Sequence, residues 1–127
     1  MRVLMVDDNR DVRRLVTLTL QVCGYEIHQA VDGIEGIKLA RELSPDVVVL
    51  DVMMPGIDGL EVCRLIKADP KLAKTRVVLL SARAQRNDIE AGMQAGADHY
   101  VTKPFEPNDL MALIEKMMGS AAPNALK

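Results

Sequence analysis

Short apolar runs alternate with amphipathic stretches five times between Arg2 and Met118, a rhythm that predicts βα units around a parallel sheet. The strands fall at Arg2 to Val6, Tyr25 to Ala30, Val47 to Leu50, Arg76 to Leu80 and His99 to Thr102. VVVL at 47–50 and VVLL at 77–80 are continuously apolar, as strands covered by helices on both faces are, which assigns them to the sheet centre.

The first helix has Asp8 or Asn9 as N-cap, Val12, Leu15, Val16, Leu20 and Cys23 at helical spacing, and Gly24 as its stop. A second runs from Gly33 to Leu43 on Ile37, Ala40 and Leu43, ended by Ser44 and Pro45. A third runs from Gly59 to Ala68 on Leu60, Cys63 and Ile66, broken by Asp69 and Pro70. The fourth, Gln85 to Ala95, has only Ile89 and Met93 as large apolar residues, and Gly92 in its interior costs about 1 kcal/mol relative to Ala, so this segment should be the easiest to shift. The fifth, Pro107 to Met118, packs Leu110, Leu113, Ile114 and Met117. One domain thus covers 1–118, and GSAAPNALK at 119–127 has the composition of a tail or the start of a linker.

Right-handed crossovers wind these units into a doubly wound α/β sheet, with the loops after the first, third, fourth and fifth strands at one edge. Open α/β folds keep their chemistry on that rim. It collects Asp7, Asp8, Asp51, Ser81 and Lys103.

Composition narrows the uses of such a rim. A length of 127 residues suits one domain that buries roughly two-thirds of its unfolded surface. Hydrophobic residues make up 49% but aromatics only 2%, so the core rests on aliphatic side chains and platforms for stacking bases or flavins are scarce. Sixteen basic and eighteen acidic residues leave a formal charge of −2, with no basic block to track a phosphate backbone, so this domain is not expected to bind nucleic acid directly. No apolar run approaches the roughly 20 residues of a membrane span. Met1 and Arg2 lead straight into a strand, and the expected location is the cytoplasm. Cys23 and Cys63 have neither CxxC spacing nor a His at metal spacing and read as buried apolar thiols. His28 and His99 read as ordinary strand residues.

A strand-end turn with a helix cap would account for Asp7 and Asp8 taken alone. Together with Asp51 they demand more, because carboxylates about 5 Å apart repel by roughly 3 kcal/mol per pair at an effective dielectric of 20. Lys103 supplies one compensating charge, and a hard divalent cation would answer the rest, since Mg²⁺ takes one or two carboxylates, waters and a phosphate oxygen. An Asp carboxylate also serves as a covalent phosphoryl acceptor, in a transfer that needs positioning and charge neutralisation above all. Asp51 is the candidate acceptor, with Lys103 and the Ser81 hydroxyl meeting charge on the phosphoryl oxygens.

With VDD at 6–8, VVVLDVMMPGIDGLEV at 47–62, LLSA at 79–82 and GADHYVTKPF at 96–105, the chain resembles the receiver domain of two-component response regulators over essentially all of 2–118. The resemblance implies a flavodoxin-like (βα)5 fold with a five-stranded parallel sheet in the order 2-1-3-4-5, an order borrowed from that fold rather than read from spacing. It further implies Asp51 as phosphoacceptor, Asp7 and Asp8 as the acidic pair that holds Mg²⁺ or Mn²⁺, and the Met53 backbone carbonyl as a third protein ligand. Lys103 matches the phosphoryl-binding lysine, Ser81 the switch hydroxyl and Tyr100 the switch aromatic. The Lys103–Pro104 bond is cis in the family; an ordinary trans turn is the alternative. Pro55, Gly56 and Gly59 fit the loop after the acceptor, as they would a simple surface turn. Met53 and Arg83 stand two residues past the acceptor and the switch hydroxyl, at positions that tune hydrolysis, and their bulk is expected to slow it.

The implied function is a phosphorylation-activated switch in a two-component phosphorelay. A sensor histidine kinase or histidine phosphotransfer protein donates the phosphoryl group, and the face of the fourth helix, fifth strand and fifth helix changes its partner, a second copy included. A pseudo-receiver that binds partners without phosphorylation is the alternative. A phosphohydrolase would place an Asp two residues after the nucleophile, where Met53 stands. A flavodoxin-like electron carrier would need a Ser/Thr/Gly-rich loop where DDNRD stands.

Overall fold

The computed structural model describes residues 1–118; the tail or linker expected at 119–127 lies outside the described residues. The elements run β1 (Arg2–Val6), α1 (Arg10–Val22), β2 (Glu26–Ala30), α2 (Gly33–Leu43), β3 (Val47–Asp51), α3 (Gly59–Ala68), β4 (Arg76–Ser81), α4 (Arg86–Gln94), β5 (His99–Thr102) and α5 (Pro107–Met118). All strand pairs are parallel, in the order β2-β1-β3-β4-β5. The chain thus adopts the doubly wound fold that the resemblance implies.

Most differences from the sequence reading sit at element ends. Asp51 and Ser81 are the last rungs of β3 and β4 rather than the first loop residues, paired with Leu80 and Thr102. Polarity marks where an apolar run stops, but backbone pairing continues one residue further. Tyr25 stays outside β2 because its N–H still closes α1, on the Leu20 carbonyl at 3.2 Å. The N-cap of α1 is Asn9, whose side chain accepts from the N–H groups of Asp11 and Val12. Gln85 caps α4 without a side-chain hydrogen bond. A short 3-10 turn at Pro70–Leu72, which the sequence reading did not include, is capped by the Asp69 carboxylate.

Strand alternation splits the core into two layers. On one face Leu4, Val6, Val48, Leu50, Val77 and Leu79 pack with Val62, Cys63 and Ile66 of α3. On the other Val3, Met5, Val47, Val49, Val78 and Leu80 pack with Val16 and Leu20 of α1 and Leu110 and Ile114 of α5. Carried to the ends of β3 and β4 and one residue past β1, the same parity assigns Asp7 and Asp51 to the α1/α5 side and Ser81 to the side of Leu79. Leu15, expected on the apolar stripe of α1, is instead 48% exposed, beside exposed Leu18 and Val22. Both cysteines are buried, and burial pushes the Cys63 thiol up to about 11, in keeping with a packed, unreactive side chain.

At the opposite edge of the sheet Asp98, just before β5, ties three segments together. Its Oδ2 accepts from Lys67 Nζ of α3 and from the Val77 N–H of β4, both at 2.8 Å, and Lys67 also donates to the Thr75 carbonyl at 3.0 Å. Among the described residues no helix is long and apolar enough to cross a membrane.

Candidate functional site

The carboxyl ends of β1, β3 and β5 bring four charged side chains to one spot. Asp7 directly follows β1 and is fully buried; its N–H donates to the Ala30 carbonyl at 3.3 Å, and its Oδ1 accepts from the Asn9 N–H at 2.8 Å. Asp51 ends β3, is 4% exposed, and its Oδ1 accepts from the Met53 N–H at 3.3 Å. Lys103 follows β5, fixed by its own N–H on the Ser81 carbonyl at 2.8 Å, and the Lys103–Pro104 peptide is cis. Lys103 Nζ lies 3.2 Å from Asp7 Oδ2 and 3.3 Å from Asp51 Oδ1, so one ammonium is shared by two buried carboxylates.

Asp8 completes the group from the exposed side: one carboxylate oxygen each from Asp7, Asp8 and Asp51 lies within 4.8 Å of the others. Such a set of hard oxygen donors, with the Lys103 ammonium in contact with two of them, fits a divalent cation of the Mg²⁺ or Mn²⁺ type.

Burial, and then the Asp7 carboxylate, push Asp51 up to about 6 against the pull of Lys103 and the Met53 N–H. Lys103 is itself held above its ordinary value: burial works against its charge, but the Asp51 and Asp7 carboxylates outweigh it. Negative charge is therefore in excess at the site, and a further cation there would relieve it.

The loop after Asp51 is shaped by close approach. Gly56 takes φ +78°, a left-handed conformation that glycine adopts without a Cβ penalty. At Gly59, where α3 starts, a Cβ would fall inside contact distance of the Asp51 carbonyl oxygen and 2.7 Å from Val52 Cα. The Gly59 N–H donates to the Val52 carbonyl at 3.0 Å, seating the helix start against the end of β3.

Other residues singled out from the sequence stand close by without joining the charged group. Ser81 is fully buried, and its Oγ accepts from the Arg83 N–H at 3.0 Å. Tyr100 donates its hydroxyl to the Arg83 carbonyl at 2.7 Å while its ring lies under Gly92 of α4. Met53 is 50% exposed, and Arg83 is exposed. The sequence reading did not single out Arg13 on α1, whose Nη1 donates to the Asp7 carbonyl at 2.8 Å. An apolar cavity of about 370 Å³, lined by Val12, Leu15, Ala82, Pro104 and Phe105, opens beside Lys103.

Comparison with known proteins bears on the fold and the family. A family model described as the response regulator receiver domain matches residues 3–115. The DNA-binding dual master transcriptional regulator RpaA of Synechocystis sp. is 39% identical over 117 residues, 92% of this chain and 48% of that protein. The chain spans about half the length of the curated relatives it matches. Among solved structures, a putative response regulator from Chloroflexus aurantiacus superposes with a TM-score of 0.86 at 32% identity, covering 92% of this chain and 96% of that one. The beryllofluoride-activated receiver domain of DrrB, a protein of Thermotoga maritima, does so with 0.83 at 35% identity, covering 92% and 96%.

Proposed function

Because the chain belongs to the response regulator receiver family, we propose that it works as a signalling switch thrown by phosphorylation of Asp51. The observation that carries this reading is the Lys103 ammonium held between Asp7 and Asp51 at 3.2 and 3.3 Å, with Asp8 in the same cluster. An Asp51 carboxylate oxygen attacks the phosphorus of a phosphohistidine on a sensor histidine kinase or histidine phosphotransfer protein. The new P–O bond forms as the P–N bond breaks, giving an acyl phosphate on Asp51 and a free imidazole that takes a proton from solvent.

Asp7, Asp8, Asp51 and the Met53 carbonyl would hold Mg²⁺ or Mn²⁺, which when bound neutralises charge on the phosphoryl oxygens. Lys103 leaves its shared position for one of those oxygens, and the Ser81 hydroxyl turns to another. Tyr100 follows into the space that Ser81 clears, biasing the α4/β5/α5 face toward a different partner, a second copy of the chain included.

The protein is not a turnover enzyme in this reading: it catalyses its own phosphorylation and its own slow dephosphorylation, with Met53 and Arg83 slowing the latter from the rim. Residues 1–118 form the receiver unit and 119–127 a tail or the start of a linker. Since relatives of twice the length are named DNA-binding regulators, a longer parent protein would bind DNA through another domain, and the receiver would act in the cytoplasm.

Incubation with acetyl phosphate and Mg²⁺ should add one PO₃ unit to the intact mass, abolished in Asp51→Asn and by chelation. Met53→Asn should release the phosphate faster. No mass gain in the wild type would leave a pseudo-receiver, a binding module without phosphorylation.

A further inference from the structure

Arg13 of α1 reaches the loop that carries two of the site carboxylates, and the proposed chemistry leaves it without a task. It sits one turn into the helix, where its N–H closes the first helical bond on the Asn9 carbonyl at 3.1 Å. Its half-buried side chain turns back so that Nη1 meets the Asp7 carbonyl at 2.8 Å.

That carbonyl belongs to the peptide joining Asp7 to Asp8. Asp7 is otherwise well anchored, by its N–H on Ala30, its Oδ1 on the Asn9 N–H and its Oδ2 near Lys103. Asp8 is exposed, and no side-chain hydrogen bond holds it among the described residues. With no partner of its own among those residues, the Asp8 carboxylate depends for its place on the backbone that carries it, and the Asp7–Asp8 peptide takes a charge-assisted bond from Arg13 at its carbonyl.

We infer that Arg13 is a positioning residue for the cation site, holding the Asp7–Asp8 peptide so that the Asp8 carboxylate faces Asp7 and Asp51. The inference rests on the proposed metal-dependent reading and deepens it. Outer-shell contacts of this kind typically change metal affinity by 10–100-fold when removed. The sign of the effect is diagnostic: a guanidinium that acted only as a nearby positive charge would repel a divalent cation, and its removal would tighten binding.

The test is calorimetric titration of the metal-free protein with Mg²⁺, for wild type, Arg13→Ala, Arg13→Lys and Arg14→Ala, with folding checked by circular dichroism. Arg13→Ala should bind Mg²⁺ about tenfold more weakly. Arg13→Lys, which keeps a charged donor, should fall between it and wild type, and Arg14→Ala, on an exposed neighbour, should match wild type. Should Arg13→Ala fail to fold, Arg13→Met keeps the apolar stem without a donor and should show the same weakening. Unchanged or tighter binding in Arg13→Ala or Arg13→Met overturns the role of Arg13 while leaving the metal site intact. A wild-type protein that takes up no Mg²⁺ removes the metal site itself, and this inference with it.

Discussion

Burial of Asp51 beside Asp7 makes a folding liability out of the residue proposed to react. With its folded value pushed up to about 6 from an ordinary 3.8, the native state holds the Asp51 proton more tightly than the unfolded chain does. Stability from this group is present below about pH 4 and is lost as pH rises through about 6. Asp51→Asn should therefore stabilise the metal-free protein at pH 7, by at most about 3 kcal/mol for a shift of this size, and the gain should vanish near pH 4. Melting curves in chelator at the two pH values check this; an equal gain at both would contradict it. The four charged residues were legible because each interrupts or follows an apolar run. Arg13 was not, since donation to a main-chain carbonyl leaves no motif. Nor was the Ser81 Oγ contact with the Arg83 N–H, which depends on a turn geometry that the letters do not carry.

Among the α-helices, α4 has the thinnest attachment: Gly92 is its only buried residue, and Met93 is 45% exposed. That weakness was visible in its few large apolar residues. Hidden from the sequence was how closely the helix lies on its neighbours, since the contact is made where a side chain is missing. A Cβ on Gly92 would stand 2.7 Å from Tyr100 Cδ2 and 3.0 Å from Leu79 Cδ1. Overpacking of this kind costs about 1–3 kcal/mol, against about 1 kcal/mol gained in helix propensity. Gly92→Ala should thus lower the melting temperature modestly or leave it near wild type, while shifting amide resonances of α4 and β5 and leaving those of α2 in place. An unperturbed Tyr100 spectrum would show that α4 has more room than this packing implies.

For the whole molecule, the strand and helix sequence followed from alternating patterns, whereas the strand order came from resemblance, because periodicity carries no information about which strands become neighbours. The convergence of residues 7, 8, 51 and 103 is a product of that order. Repulsion among the three carboxylates, which Lys103 only partly offsets, links cation binding to global stability: at a Mg²⁺ concentration about 100 times its dissociation constant the gain is about 2.7 kcal/mol. Millimolar Mg²⁺ should raise the melting temperature by several degrees, and Asp8→Asn should blunt the rise. A curve indifferent to Mg²⁺ would argue against the site. The clasp of Lys67 and Asp98 at the far edge then acquires a mechanical meaning. With α3, β4 and β5 riveted together at their remote ends, a rearrangement begun at Asp51 in the proposed switch would meet resistance there, and the less firmly tied extremity would be the one to give.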